Sequence, residues 1–395
     1  MRGTLGETGG QQGGPTRKRR PVTAVEDILR KPPTQPVPAI PRERPTPNTP
    51  ATDVPELVPS AADQQERDYA DLKRRITQQG LLDKQPAYYV QNVLLRLALL
   101  GASVAILIVV ESFWVQLLNA VFLAFAFTQI GFLGHDAGHR QIFGRAAKND
   151  TFGLAINLLL GMSRSWWIDT HNQHHVSPND LDLDPHTALP LFAFSEEQAR
   201  TKRGALRFLV GYQSLYFFPM LLLEGVGVRA ASVQYLLQKQ AKDRLVEALL
   251  IALHFVIYFG LLFYALSVSQ AIVFAVVHHL AFGLYLGSVF APNHKGMLLL
   301  DSESKLDFLR RQVLTSRDVR AHPLTDFLYG GLNYQIEHHL FPSMPRNKLR
   351  EAQTIVRAFC AERSIPYRES GAVESQKEIL PYLHQVSAPL REATA

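Results

Sequence analysis

The sequence predicts an all-α integral membrane protein with four transmembrane helices arranged as two hairpins. The 395-residue chain is 47% hydrophobic, and its longest apolar stretches form two blocks, about 92–134 and 245–292. A helix needs about 20 apolar residues to cross a hydrocarbon core of roughly 30 Å, so each block is long enough for two crossings. Breaks at "ESFW" and "LSVSQ" divide the blocks into predicted spans of about 92–111, 113–134, 245–266 and 269–291.

The positions of basic residues predict how these spans are oriented. Lys and Arg gather at the outer ends of the two blocks, as at Arg140 and Lys295, and neither short turn inside a block contains one. Cytoplasmic loops carry an excess of Lys and Arg. We therefore expect both termini and the long middle segment in the cytoplasm. The same bias accounts for the formal net charge of +6, so we do not expect nucleic-acid binding.

Composition divides the rest of the chain. Residues 1–64 are rich in proline and carry the basic run "RKRR", which predicts a disordered N-terminal tail. Residues 65–365 form the predicted membrane domain, and 366–395 a C-terminal tail. Apolar residues at helical spacing over 65–82 predict an amphipathic helix leading into the bilayer. The shorter apolar stretches 152–162 and 207–223 are predicted to be interfacial or half-buried helices.

Four separate pieces of the chain bring histidines to the cytoplasmic side of the predicted bilayer. They are "HDAGH", "HNQHH", "APNHKG" and "QIEHH". Residues three and four apart share one face of a helix, so three of these motifs can each direct two or three ring nitrogens to one point. Ionisable groups near a bilayer are rare and usually functional. The candidate metal ligands are His135, His139, His171, His174, His175, His294, His338 and His339.

The number of candidate ligands indicates two metal ions. Eight histidines exceed the four ligands that one structural zinc ion usually takes. Imidazole suits iron, copper, nickel and zinc alike. Iron is favoured because two ligated irons with open positions can bind and cleave O₂, which is the chemistry needed to attack an unactivated hydrocarbon. A substrate inside the bilayer is mostly hydrocarbon, so we predict a di-iron centre with O₂ as co-substrate.

The order "HDAGH", "HNQHH" and "QIEHH", followed by "LFPSMP", resembles the membrane fatty acid desaturases whose third histidine motif begins with Gln. The resemblance covers about residues 90–360. It implies four spans under a cytoplasmic helical cap, a di-iron centre held by the eight histidines, and oxygen-dependent removal of two hydrogens from a long-chain fatty acyl substrate linked to CoA or to a lipid. Gln335 stands where many relatives have a ligating histidine, and we expect it to hydrogen-bond a water or a ligand without touching iron.

Carboxylates near the motifs are candidates for holding the ligands in place. A ligating histidine commonly donates its other ring N–H to a carboxylate or a carbonyl. Together with Gln335, the candidates for this supporting role are Asp136, Asp182, Asp184 and Glu337. His186, in the stretch "NDLDLDPH", is a weaker candidate for a metal role.

Other residues have predicted roles away from the metals. Trp166 and Trp167 could line an acyl tunnel or belong to an interfacial aromatic belt. His254, His278 and His279 lie deep in the predicted spans, too far along the helix to join the same centre. We expect these three histidines to pack between helices.

Desaturation consumes two electrons from outside the chain. The sequence contains no GxGxxG turn, no CxxC pair and no "HPGG" haem motif. The single cysteine, Cys360, excludes a disulfide or a Cys-based metal site within one chain. The expected electron donor is therefore a separate protein, a ferredoxin or a small reductase. The missing haem domain favours a bacterial inner or plasma membrane as the location.

Three other functions compete with desaturation. The nearest is an acyl-chain hydroxylase, or a carotenoid hydroxylase or ketolase, on the same di-iron scaffold, which the sequence alone does not separate. A zinc-dependent intramembrane hydrolase needs only three protein ligands and a water. A metal transporter would place polar ligands along the bilayer midplane, whereas these histidines gather at one interface.

Overall fold

A computed structural model of the protein describes residues 61–238, 241–301 and 303–392. Most of the predicted disordered tail, residues 1–60, lies outside these ranges. The helices are α1 Ala61–Gln78, α2 Pro86–Val109, α3 Phe113–Gly138, α4 Ala146–Leu160, α5 Arg164–Val176, α6 Glu196–Thr201, α7 Gly204–Gly211, α8 Gln213–Leu221, α9 Glu224–Gln238, α10 Arg244–Ala265, α11 Val268–His294, α12 Phe308–Leu314, α13 Pro323–Leu328, α14 Gln335–Leu340, α15 Leu349–Glu362, α16 Ala372–Val386 and α17 Ala388–Glu392. Two short parallel strands, β1 Asp318–Val319 and β2 Glu369–Ser370, pair with each other.

Four of these helices, α2, α3, α10 and α11, are long and apolar enough to cross a membrane. They match the four predicted spans, with ends that differ by a few residues. α2 begins at Pro86, a residue that suits the first turn of a helix because its missing N–H needs no partner there. α11 continues through Pro292 to His294, whereas the sequence predicted an end near residue 291. This extra turn places His294 on the helix itself.

α3 is the central span. About 61% of its apolar window is buried within the protein, compared with 17% for α2. Its buried residues, including Phe127 and Ile130, join one core with residues of α4, α10 and α11. α2 instead exposes large apolar side chains such as Leu94 and Val109, as expected of a helix that faces lipid.

α8 and α9 form a bent pair beside α11. They meet at an angle of 75° and together pass the length and hydropathy test for a span. Gly225 of α9 lies directly against Gly283 of α11, and a Cβ atom on Gly283 would lie 2.6 Å from the Leu222 carbonyl oxygen. The predicted helical stretch 207–223 is thus divided among α7, α8 and the start of this bend.

α1 packs on protein. Leu72 and Ile76 are fully buried in a core shared with α12, α14 and α15. Asp68 accepts hydrogen bonds of 2.9 Å from both Arg310 and Arg363. The predicted amphipathic helix is therefore present just before the first span, and its apolar face is covered by α12, α14 and α15.

The helices continue beyond residue 365, where the sequence analysis placed the start of a tail. Ile379 and Leu383 of α16 are fully buried against Phe192, Phe194 and Phe217. Glu378 forms an ion pair with the buried Arg317, and β2 pairs with β1. The packed region extends to residue 392 because the apolar residues of α16, too few to stand out in the sequence, meet partners that are distant along the chain.

Candidate metal centre

The eight candidate histidines converge at the C-terminal ends of α3 and α11. His135 and His139 end α3, His294 ends α11, and the other five come from α5 and α14. Each of the eight side chains is between 1% and 9% exposed. Such a concentration of buried imidazoles is costly unless their polar atoms find partners.

The first group joins three elements. Ring nitrogens of His135, His139, His171 and His338 all lie within 4.8 Å of one another. Within the described ranges, the Nε2 atoms of His135 and His139 are buried and have no hydrogen-bond partner. A cation placed among these nitrogens would satisfy them.

The second group consists of His174, His294 and His339, whose ring nitrogens also lie within 4.8 Å of one another. The Nε2 atoms of His174 and His294 are 3.2 Å apart. The buried Nε2 of His339 has no partner in the part of the chain that the structure describes. Three imidazoles at this spacing leave room for further ligands on a bound metal ion.

His175 lies between the two groups. Its Nε2 atom is 3.1 Å from Nε2 of His171 and 3.1 Å from Nε2 of His338, and its ring stacks on His339 with centroids 4.2 Å apart. The Nε2 atoms of these three histidines face one another at hydrogen-bond distance, an arrangement that would suit a shared metal ion. The donor set, made only of imidazoles, suits iron as well as zinc or copper.

Burial also lowers the pKa values of four of these candidate ligands. Desolvation, followed by repulsion from neighbouring imidazoles, lowers the pKa of His171, His175, His338 and His339 well below the usual range. A neutral imidazole has a free lone pair on one ring nitrogen, which is the form that binds metals.

Contacts from other elements hold the motif helices in place. Ser163 caps α5 by accepting from the Trp166 N–H, and Glu247 of α10 accepts hydrogen bonds of 2.5 Å from the hydroxyls of Ser163 and Ser165. The start of α14 is fixed by Asp318, which accepts from the Ile336 N–H at 2.9 Å. These contacts determine where the two motif helices begin.

Two of the predicted carboxylates support histidines directly. His174 donates its Nδ1–H to Asp184 over 2.8 Å. Asp136 lies 3.4 Å from His135 Nδ1 and accepts from Arg346 at 2.5 Å. Asp182 is exposed, and its backbone N–H donates to Asp180.

Glu337 lies in a hydrogen-bonded cluster with Tyr367 and Asp318. The Tyr367 hydroxyl oxygen lies 2.9 Å from Glu337 Oε1 and 2.5 Å from Asp318 Oδ2, within hydrogen-bond distance of both carboxyl groups. Burial, together with the nearby Asp318, raises the pKa of Glu337 well above its usual range. The Glu337 carboxyl thus belongs to a cluster with Tyr367 and Asp318 behind α14, and its Oε2 atom has no hydrogen-bond partner within the described ranges.

Three residues that the sequence analysis missed also contact candidate ligands. His339 donates its Nδ1–H to Gln312 over 2.9 Å, and His294 donates to the Thr315 carbonyl over 3.0 Å. Asn179 donates to the His294 carbonyl at 3.0 Å. The only sequence signal was a polar residue, Gln312, within the otherwise apolar or basic "FLRRQVL".

Gln335 is placed at the second group. Its amide nitrogen lies 3.0 Å from His294 Nε2, and its amide oxygen accepts from the Asn293 side chain at 3.0 Å. The His186 ring lies beside His174, with centroids 4.6 Å apart and the ring planes tilted by 34°, but half of its side chain is exposed.

The deeper histidines lie outside both groups. His278 is hydrogen-bonded to the Tyr258 hydroxyl at 2.8 Å, and His254 donates to the Leu158 carbonyl at 3.0 Å. His279 bonds the Ala275 carbonyl of its own helix. These contacts agree with the predicted packing roles.

A cavity of about 470 Å³ runs along the metal centre. His135, His171, His174 and His294 form part of its wall. Trp166 and Trp167, the predicted tunnel residues, also line it, and most of the remaining wall is apolar, contributed by α3, α4, α8, α9 and α11. The cavity can hold an apolar chain beside the imidazole nitrogens.

Comparison of the sequence with known proteins finds fatty acid desaturases. A model of the fatty acid desaturase family matches residues 112–371. The chain is 31% identical over 340 residues to an acyl-lipid (9-3)-desaturase of Physcomitrium patens, covering 83% of this chain and 64% of that protein. It is 31% identical to Delta(6)-fatty-acid desaturase fat-3 of Caenorhabditis elegans, covering 76% and 70%, and 29% identical to a Delta(8)-fatty-acid desaturase of Helianthus annuus, covering 83% and 75%. The match thus spans slightly less than two thirds of the moss protein's length.

Proposed function

The chain belongs to the fatty acid desaturase family, and from that premise we propose that it is an oxygen-dependent desaturase that introduces a double bond into a long-chain fatty acyl substrate at a di-iron centre. The observation that carries this proposal is the position of two buried histidine groups in the wall of an apolar cavity. Chelating groups and a hydrocarbon-sized space at one place support oxidation of an acyl chain.

The two groups would hold one iron each. His135, His139, His171 and His338 surround the first position, His174, His294 and His339 the second, and His175 lies between them. When bound, two irons with open positions supply the activation of O₂ that an unactivated C–H bond requires.

The protein's own contribution is placement and exclusion of water. An acyl chain in the cavity would pass the imidazoles of both groups, and the apolar wall keeps bulk water away from them. Trp167 stacks on His171 with centroids 4.3 Å apart and lines the cavity, so it would hold both the ligand and the chain. A fixed chain position selects which carbon pair reacts.

Electrons would come from a separate donor protein at the cytoplasmic side, a ferredoxin or a small reductase. The formal net charge of +6 favours an acidic partner. We place both termini and the metal centre on the cytoplasmic side, on the distribution of basic residues. The bacterial origin stays a prediction, because the relatives named above come from a moss, a nematode and a flowering plant.

Expression in a host that supplies a donor tests the proposal. Total fatty acids from cells with the intact chain are compared, by gas chromatography–mass spectrometry after double-bond derivatisation, with those from a His338→Ala, His339→Ala variant. A new unsaturated chain found only with the intact protein is the expected result. Hydroxylated chains would instead identify a hydroxylase on the same scaffold. An unchanged lipid profile, with bound iron and a working donor confirmed, would overturn the acyl substrate and direct the search to carotenoids.

A further inference from the structure

The cavity reaches the protein surface at a mouth formed by the segment after α5 and by the end of α11. His186, Leu189 and Leu191 all line the cavity, and their side chains are also exposed. Lys295, the residue that follows α11, lines the same mouth. The cavity therefore opens beside a lysine and continues inward along the metal centre.

Lys295 has unused hydrogen-bonding capacity. Its Nζ atom lies 3.6 Å from the centre of the Phe194 ring and 3.4 Å from the His186 carbonyl oxygen. Within the described ranges Lys295 forms no ion pair, and the nearby Asp184 pairs with His174 and His186. A lysine ammonium has three N–H donors, and the weak contact to His186 occupies one.

Asp184, a carboxylate that lines the same cavity, already has its own hydrogen-bond partners. Its carboxylate accepts from His174 Nδ1 and from the backbone N–H groups of Asn179 and His186. Among the described residues it forms no ion pair with Lys295, although its charge acts on the ammonium, so N–H donors of Lys295 are available to a ligand at the mouth. A second cation stands at the same rim, since Lys202 donates to the carbonyl of Pro190, which lines the cavity.

We propose that Lys295 binds the anionic head of the acyl substrate, a phosphate or a carboxylate, at the mouth of this cavity. The proposal deepens the proposed function and rests on it for the chemistry that follows binding. The ligand it predicts has an anion at one end and an apolar chain that continues inward beside the histidines. A phosphate could belong to CoA or to a phospholipid, and a carboxylate to a free fatty acid.

The position of Lys295 next to His294 also predicts how the reacting carbons are chosen. Adjacent Cα atoms are about 3.8 Å apart, and the five bonds of a lysine side chain extend it by about 6 Å. The Lys295 Nζ atom is therefore held within roughly 10 Å of the His294 Cα atom, so a head bound to it would be fixed relative to the histidine groups and would determine which carbons lie beside them.

The direct test is equilibrium binding to the purified, metal-loaded full chain in detergent. The probes share one oleoyl chain: the anionic oleate, oleoyl-CoA and oleoyl-lysophosphatidate, and the neutral mono-oleoylglycerol. Lys295→Ala is expected to weaken at least one anionic probe about tenfold or more, to leave mono-oleoylglycerol unchanged, and to be rescued by Lys295→Arg. The probe that loses most identifies the source of the anion. Lys305→Ala, at an exposed lysine outside the cavity wall, is the matched control.

Product analysis separates this proposal from the desaturase assignment. In the expression host, Lys295→Ala is expected to spread the double bond over several positions. If the intact chain desaturates while Lys295→Ala binds every anionic probe as well as the intact chain, the anchor is overturned and the desaturase stands. If Lys295→Ala loses anionic binding but the intact chain, with iron and donor confirmed, forms no double bond, the anchor stands and the desaturase is overturned.

Discussion

At the scale of single residues, the hydrogen bonds behind the imidazoles decide which ring nitrogen faces the metal position. Asp184, Gln312 and the Thr315 carbonyl each accept from the Nδ1–H of a different histidine. The second group, His174, His294 and His339, thus presents Nε2 atoms inward. Loss of one acceptor leaves the ring free to rotate or to exchange tautomers.

Asp184→Asn tests this arrangement. The amide is a weaker acceptor than the carboxylate, so we expect metal affinity to fall about 10- to 100-fold. The measurement is iron retained per chain during titration with a chelator, with Glu197→Gln, an exposed carboxylate, as the control. Equal iron retention by Asp184→Asn and the control would contradict the role of Asp184.

Gln335→Ala tests whether Gln335 binds a metal ion itself or only contacts a residue that does. Because we expect Gln335 to contact a bound water or His294, the variant should keep both metal ions and lose activity through poorer orientation of the second group. Metal content and desaturation rate, measured on the same preparation, check this expectation. Loss of one metal ion would show that the Gln335 amide is itself a ligand.

The histidines could be predicted from sequence because their spacing on a helix carries the information. The same spacing does not predict which residue Glu337 contacts. Glu337 lies about 100° around the helix from His338, and its side chain contacts Tyr367. Asn179, Gln312 and Thr315 reach the site through contacts between distant segments, for which no short pattern exists.

At the scale of elements, the crossing of α9 over α11 shapes the inner wall of the cavity. Gly225 and Gly283 allow the two backbones to touch, and Phe282 beside them lines the cavity. The sequence predicted the four straight spans from their length and hydropathy. It missed the bend between α8 and α9 because Pro219 breaks the apolar run into pieces too short to interpret as a span.

Gly283→Ala is expected to disrupt this crossing. The new Cβ would lie 2.6–2.7 Å from backbone atoms of Leu221, Leu222 and Gly225, and backbone cannot give way as a flexible side chain can. Overpacking of this kind costs about 1–3 kcal/mol, so the apparent melting temperature in detergent should fall. Gly260→Ala, at a glycine with open space around it, should melt like the parent chain; a similar fall in both variants would argue against the crossing.

At the scale of the whole molecule, the C-terminal helices complete the support for the metal centre. Arg317 bonds the Pro292 carbonyl near the end of α11 and pairs with Glu378 of α16. α16 also packs on α8, which lines the cavity. The membrane spans could be predicted from composition. The packing of α16 could not, because it depends on contacts between segments far apart in sequence.

Leu383→Ala measures that contribution. Truncating a fully buried leucine typically costs about 2–5 kcal/mol, whereas Val373→Ala, at a position 67% exposed on the same helix, should change stability by less than about 0.5 kcal/mol. Denaturant titration in detergent gives both values. A small effect of Leu383→Ala would mean that residues 366–395 behave as the tail that the sequence analysis predicted.

The most direct test of the central claim is a count of metal ions per chain by inductively coupled plasma mass spectrometry. The account predicts two iron ions in the intact protein. His139→Ala should lower occupancy at the first group, and His339→Ala at the second, each to about one ion or fewer, because every ligand lost weakens its site. A single zinc ion in the intact chain, or two iron ions retained in both variants, would contradict a di-iron centre built from these two histidine groups.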